Sequence, residues 1–200
     1  MNRLLIFGDS ISTSFHGDGG YIRKLQETMI FDDIQTLAIS ASGLSSITPN
    51  ALALQYKKHV DLIRQASHLI IWHGTNDWYY NVPLDQFQME LVELCKDIRR
   101  INQNISILLI TPLIRYQATY GNSRIINGYT EHNNHGETLI DFENAIQQVA
   151  LNLDTGLICM RIETPFTLQN INHYFEDGVH PNDAGYNQIV IPIIRFFKKT

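Results

Sequence analysis

Cysteine is nearly absent: the 200-residue chain has two, Cys95 inside a helical pattern and Cys159 inside a strand pattern. A pair so placed builds neither a disulfide framework nor a zinc cluster, and both are expected as reduced core residues. Long basic runs are also lacking. None exceeds the pairs Lys57-Lys58, Arg99-Arg100 and Lys198-Lys199, and the net charge is −5. No stripe exists that would neutralise many phosphates, so nucleic acid is not expected as a partner. Apolar runs long enough to span a bilayer are missing too, since even Ile189 to Phe197 is interrupted by Pro192 and Arg195. The opening stretch, Met1 to Phe7, leads straight into Gly8-Asp9-Ser10 with no room for a signal-peptide core, so a soluble, cytoplasmic protein without a membrane partner is expected. No Pro-, Gly- or Ser-rich tract divides the chain, and at 44% hydrophobic composition residues 1–200 are expected to fold as a single domain.

What is present alternates. Short apolar runs at Leu4 to Phe7, Gln35 to Ile39, Leu69 to Trp72, Ile105 to Thr111 and Leu157 to Ile162 read as strands buried on both faces. Between them, Tyr21 to Met29, Leu52 to Ala66, Leu84 to Ile101 and Leu139 to Leu153 carry apolar residues at helical spacing. Asp183 to Lys199 reads as a last helix, entered through Pro181-Asn182 and bent or restarted near Pro192. Parallel strands need long crossovers and helices supply them, so the expected fold is a doubly wound α/β sandwich on five parallel strands. Leu113 to Thr138 is the longest stretch without a pattern, and reads as a pocket wall or a surface loop.

Four patches fall at loop positions after strands or before the last helix: Gly8-Asp9-Ser10, Ser42-Gly43, Gly74-Thr75-Asn76-Asp77 and Asp177-Gly178-Val179-His180-Pro181. In an open parallel sheet, loops at the carboxyl ends of neighbouring strands converge on one crevice, so residues far apart in sequence meet there. Their chemistry fits ester cleavage. A serine hydroxyl at neutral pH needs an imidazole to take its proton, and the imidazole needs a carboxylate to hold its tautomer and stabilise its charge. Ser10, His180 and Asp177 supply these groups, and the three-residue offset from Asp177 to His180 across Gly178 lets a tight turn join the last two. Negative charge gathering on the former carbonyl oxygen needs preorganised donors. The backbone N–H groups of Ser10 and Gly43 and the side-chain amide of Asn76 are candidates.

These blocks resemble the GDSL/SGNH hydrolases. Gly8-Asp9-Ser10 is similar to the family's first block, Gly43 to the glycine of the second, Gly74-Thr75-Asn76-Asp77 to the third, and Asp177-x-x-His180-Pro181 to the fifth, so the likeness runs from Gly8 to Gly185. The resemblance implies a flavodoxin-like three-layer α/β/α fold. It also implies that Ser10, Gly43, Asn76 and His180 are the residues that name the group, with Asp177 completing the triad. Ile11-Ser12-Thr13-Ser14 in the first block, and Ala38 and Ser40 in the second, depart from the family pattern at positions that shape loops rather than react.

Other residues invite a role. Asp9 and Asp77 compete with Asp177 as the triad carboxylate, but each adjoins a proposed site residue and is expected to brace its loop. Trp78, Tyr79 and Tyr80, with Tyr116 and Tyr120, are candidates for an aromatic wall against an acyl chain or sugar ring, the alternative being interior packing. His73 reads either as pocket lining or as a structural residue. His132 and His135 have a spacing that would bind metal on a helical turn but lack a third ligand, so no metal or cofactor is expected. His16, Gly17, Gly19 and Gly20 are read as the turn into the next helix. The expected substrate is a small-molecule ester of short acyl length, and assembly into a homo-oligomer is left open. Two other functions use the same residues: metal-assisted phosphoester hydrolysis by Asp9, Asp177, His180 and His132, and binding without turnover.

Overall fold

A computed structural model of the chain describes residues 1–118 and 125–199. Seven strands occur among them: β1 (Arg3–Gly8), β2 (Asp33–Ala38), β3 (His68–Trp72), β4 (Ser106–Ile110), β5 (Tyr116–Ala118), β6 (Ile125–Asn127) and β7 (Gly156–Ile158). The helices are α1 (Gly20–Glu27), α2 (Leu52–Gln55), α3 (Val60–Gln65), α4 (Thr75–Tyr79), α5 (Leu84–Ile101), α6 (Leu139–Leu153), α7 (Met160–Glu163), α8 (Ile171–Tyr174) and α9 (Asp183–Phe197). Five strands pair in parallel in the order β2-β1-β3-β4-β7, while β5 and β6 form a separate antiparallel pair.

The two-residue period of a strand sorts the core. Leu5 and Phe7 of β1, Leu69 and Ile71 of β3, and Ile107 and Leu109 of β4 face one layer, where Phe87, Leu91, Leu94 and Ile98 of α5 meet Phe142, Ile146 and Val149 of α6. Their neighbours Leu4, Ile6, Ile70, Trp72, Leu108 and Ile110 face the other, against Tyr21, Ile22 and Leu25 of α1 and Tyr186, Ile189 and Ile193 of α9. Apolar side chains on both faces are what a sheet covered by helices on both sides demands. The expected five-stranded three-layer sandwich is therefore the observed one. No helix among the described residues is long and apolar enough to cross a membrane.

Several local expectations change. The helix expected over Leu52 to Ala66 is broken: a 3₁₀ turn at Tyr56–His59 separates α2 from α3, and His59 leaves helical geometry at φ −121°. The break accompanies a tertiary bond, from the Tyr56 hydroxyl to Asp97 on α5 at 2.6 Å. The last sheet strand ends at Ile158, so Cys159 is not a strand residue but caps α7. Thr111 Oγ1 accepts from Met160 N–H at 2.9 Å and draws the chain off the sheet, while Arg161 pairs with the buried Glu143. Helix α9 passes through Pro192 as one element and does not restart there. Leu113 to Thr138 is not wholly irregular, because it contains β5 and β6.

Candidate active site

Strand β1 delivers Ser10 to the carboxyl edge of the sheet. Immediately after it the chain turns into a 3₁₀ turn over Ser10–Ser12, capped by Asp9, whose Oδ1 accepts from Ile11 N–H at 2.9 Å. At the far end of the chain, Asp177 to His180 fold into a turn before α9. Gly178 there has φ +82°, a conformation that an L side chain rarely adopts. Asp177 Oδ1 accepts from the backbone N–H of Val179 (2.9 Å) and of His180 (2.8 Å), which leaves Oδ2 facing the ring. His180 Nδ1 lies 2.7 Å from Asp177 Oδ2, and His180 Nε2 lies 2.9 Å from Ser10 Oγ. Residues 170 positions apart thus share one hydrogen-bonded chain, running carboxylate to imidazole to hydroxyl.

Partial burial by itself would raise the Asp177 carboxyl. The hydrogen bonds from the His180 ring and from the two backbone N–H groups outweigh it and hold the group well below the ordinary carboxylate range. Asp177 is therefore ionised at neutral pH.

The two intervening patches are tied to each other and to Asp9, the residue before Ser10. Gly74, at φ +126°, turns the chain out of β3 into α4, which places Asn76 at the sheet edge. The Asn76 Nδ2 amide donates to the Ser42 carbonyl at 2.8 Å and lies 3.4 Å from Asp9 Oδ2, so one of its two hydrogens is engaged well and the other only weakly. Asp77 fastens the Gly43 loop: its carboxylate accepts from Leu44 N–H (3.0 Å) and Ser45 N–H (2.8 Å). Glycine at 43 has a packing reason, because a Cβ there would lie 2.6 Å from both Oγ1 and Cγ2 of Thr48.

Asp9 and Asp77 brace loops, as their positions in the sequence suggest. Both are buried, and burial pushes both carboxyls up to about 6 against the backbone N–H groups that each accepts. His73 is buried, and burial lowers its imidazole to about 3 against a contact with the Ser42 backbone. The ring is neutral, and its Nδ1 has no hydrogen-bond partner among the described residues. It lines a cavity of about 300 Å³ with Leu37, Ile39, Ser42, Leu52 and Tyr56, behind the loop that carries Gly43.

The candidates for the aromatic wall are placed differently from one another. Trp78 is 4% exposed and belongs to the hydrophobic core, with its indole N–H donating to the Glu137 carbonyl at 3.1 Å, which is the interior-packing alternative. Tyr79 is 45% exposed, and the Arg115 guanidinium carbon sits 4.2 Å from the centre of its ring. Tyr116 is half-buried, and its backbone N–H donates to the Gly178 carbonyl at 2.8 Å, tying β5 to the Asp177–His180 turn. Tyr120 lies outside the described residues. His132 and His135 are both exposed in a non-helical stretch, so their spacing does not set the rings on one helical face. No group of three His, Cys, Asp or Glu among the described residues is placed to hold a metal ion.

Two features were not apparent from spacing. Arg115, 6% exposed, follows β4 at a position where nothing in the sequence marks it. Burial lowers its guanidinium, against the opposing influence of Tyr79, Asp9 and Asp177. His16 stacks on His180 with ring centres 4.0 Å apart and planes 11° apart.

The GDSL-like lipase/acylhydrolase family model matches residues 6–188. No curated protein matches the sequence. Solved structures of the same fold include a protein from Lactobacillus plantarum, 20% identical, with a TM-score of 0.81 over 99% of this chain and 97% of that one. An acetyl xylan esterase is 21% identical, with a TM-score of 0.74 over 97% and 98% of the two chains. A carbohydrate acetylesterase family member from Sinorhizobium meliloti is 15% identical, with a TM-score of 0.71 over the full length of both.

Proposed function

The chain belongs to the GDSL-like lipase/acylhydrolase family, and from that premise we propose that it cleaves carboxylic esters through an acyl-enzyme on Ser10. The observation that carries this reading is the chain of contacts from Asp177 through His180 to Ser10, at 2.7 and 2.9 Å. Ser10 Oγ attacks the ester carbonyl while His180 Nε2 takes its proton, and Asp177 stabilises the imidazolium. The carbonyl oxygen becomes an oxyanion and is received by the N–H groups of Ser10 and Gly43 and by the weakly engaged hydrogen of Asn76 Nδ2. His180 returns the proton to the leaving alkoxide as the tetrahedral centre collapses. Water, deprotonated by His180, then releases the acid and restores Ser10.

The substrate class proposed is a short acyl ester, acetyl above all, of a sugar or small metabolite. Support comes from the names of two structural relatives, an acetyl xylan esterase and a carbohydrate acetylesterase. No cofactor enters the scheme, and its proposed setting is the cytoplasm. The phosphoesterase alternative is less well supported, because it needs Asp9 as a metal ligand. That carboxyl is buried, with one oxygen on Ile11 N–H and the other toward Asn76.

Treatment with an aryl phosphonate followed by peptide mass mapping tests the assignment. The proposal expects the adduct on Ser10, and Ser10→Ala is expected to lose at least about 10⁴-fold in kcat on short aryl esters. An active chain unlabelled at Ser10, or Ser10→Ala turning over at the parent rate, would refute it.

A further inference from the structure

Two hydrogen bonds hold the edges of the His180 ring, at Nδ1 and Nε2, and the torsion about Cβ–Cγ of histidine is broad. What sets the tilt of the plane is whatever packs on its faces. On one face lies the His16 ring, nearly parallel, with 4.0 Å between centres. His16 is itself fixed. Its Nδ1 is 2.9 Å from Glu176 Oε2, and the other carboxylate oxygen accepts from Gly17 N–H at 3.2 Å. Glu176 in turn donates its backbone N–H to the His180 carbonyl at 2.9 Å. Adjacent carboxylates, Glu176 and Asp177, thus grip the Nδ1 atoms of two stacked imidazoles.

The loop that brings His16 over this face is built for it. Gly17 has φ +58°, and a Cβ there would come within 2.7 Å of the Tyr186 ring on α9, so the backbone turns back tightly against the last helix. The Glu176 carboxyl is held below its ordinary value: partial burial raises it, but the His16 ring and the Gly17 N–H outweigh that. The pair is a formed interaction in the same sense as the one beside it.

We propose that His16, anchored by Glu176, is a positioning residue: its ring is the plate that holds the His180 imidazole in the one plane serving both Asp177 Oδ2 and Ser10 Oγ. The inference rests on the reading of Ser10, His180 and Asp177 as the reacting groups. It makes the loop after the nucleophile, where this chain departs from the family's first block, part of the machinery that aims the base.

The test compares His16→Ala, His16→Phe, Glu176→Ala and Ser10→Ala in the full chain on a short aryl ester. A misaimed base costs rate rather than binding, so His16→Ala is expected to lower kcat by about 10- to 100-fold and to leave KM within about 3-fold, a loss in the chemical step alone. His16→Phe restores the plate and is expected to recover most of the loss. The low-field proton NMR signal of the His180 Nδ1–H facing Asp177 should persist in His16→Phe and broaden in His16→Ala. Glu176→Ala, which keeps His16 but frees it, should lower kcat as well and serves if His16→Ala does not fold. Unchanged kcat in a folded His16→Ala or in Glu176→Ala, a change confined to KM, or no recovery by phenylalanine would overturn the proposal. Ser10→Ala separates the two ideas: if it abolishes turnover while His16→Ala does not, only the role of His16 falls, whereas parental activity in Ser10→Ala removes the reading of the site itself.

Discussion

Asp177 takes three hydrogen bonds, two from backbone N–H groups and one from the His180 ring. Replacing it by asparagine leaves the turn an acceptor but can present an amide N–H where the ring needs a carboxylate. On that argument Asp177→Asn should lower kcat by about 10⁴-fold with little change in KM, measured on the same short ester. In the proposed scheme Asn76 acts later, when charge has moved to oxygen. Asn76→Ala should lower kcat by about 10²- to 10³-fold; a loss below about 3-fold would take that amide out of the oxyanion site. Single residues were legible in the sequence where chemistry restricts the choice. Ser10, Asn76, Asp177 and His180 carry functional groups that few residues share, and the blocks around them mark their place. Trp78 misled because an aromatic beside a site looks the same in sequence whether it faces the crevice or the core. His16 reads as turn in the sequence because stacking depends on ring planes, which spacing does not encode.

At the scale of elements, the loop after β2 and the start of α4 behave as one piece, joined by Asp77 to Leu44 and Ser45. Gly43→Ala would press a methyl group into Thr48 and shift this loop. A displacement near 1 Å at an oxyanion donor costs about 10²-fold in rate, and the double variant Gly43→Ala with Thr48→Gly should recover part of that loss. The buried carboxyls of Asp9 and Asp77 tie the same loops to pH. Each is raised to about 6 in the fold, against about 3.9 for an unfolded aspartate. Between those values the folded state binds the more protons, so stability is fullest below about pH 4 and declines as pH rises through about 6, by about 3 kcal/mol per group. Urea unfolding at pH 4.5 and pH 7 should therefore show a smaller decline for Asp77→Asn than for the parent, and equal declines would mean that Asp77 does not titrate in this window. Helices α5 and α6 begin and end where the apolar pattern in the sequence says, and a capping box between Thr138 and Asp141 closes the start of α6. The break at His59 and the early end of β7 were not readable. They follow tertiary bonds, Tyr56 to Asp97 and Thr111 to Met160, that override local preference.

For the whole molecule, the order β2-β1-β3-β4-β7 is what gathers the site, since it sets β1 beside β3 with Gly8 paired to Trp72 at the functional end. The alternation of strands and helices revealed the class of fold, and a parallel sheet implied loops converging at the carboxyl ends of its strands, but strand order is settled by packing between distant segments and is not written in any one of them. The sheet is held by apolar side chains on both faces. Leu69→Ala in β3, at a fully buried position, should cost about 2–5 kcal/mol in urea unfolding, far more than any exposed substitution on the helices.

The proposed chemistry requires a hydroxyl and an imidazole 170 residues apart to act together on one carbonyl. Acid quenching during turnover of a slow aryl ester, followed by peptide mapping, tests this most directly. An acyl group on the peptide bearing Ser10, building up before steady state and absent in Ser10→Ala, is the predicted result. Turnover with no acylated intermediate on Ser10 in a reaction slow enough to trap one, or acylation of a different side chain that survives the Ser10→Ala change, would contradict it.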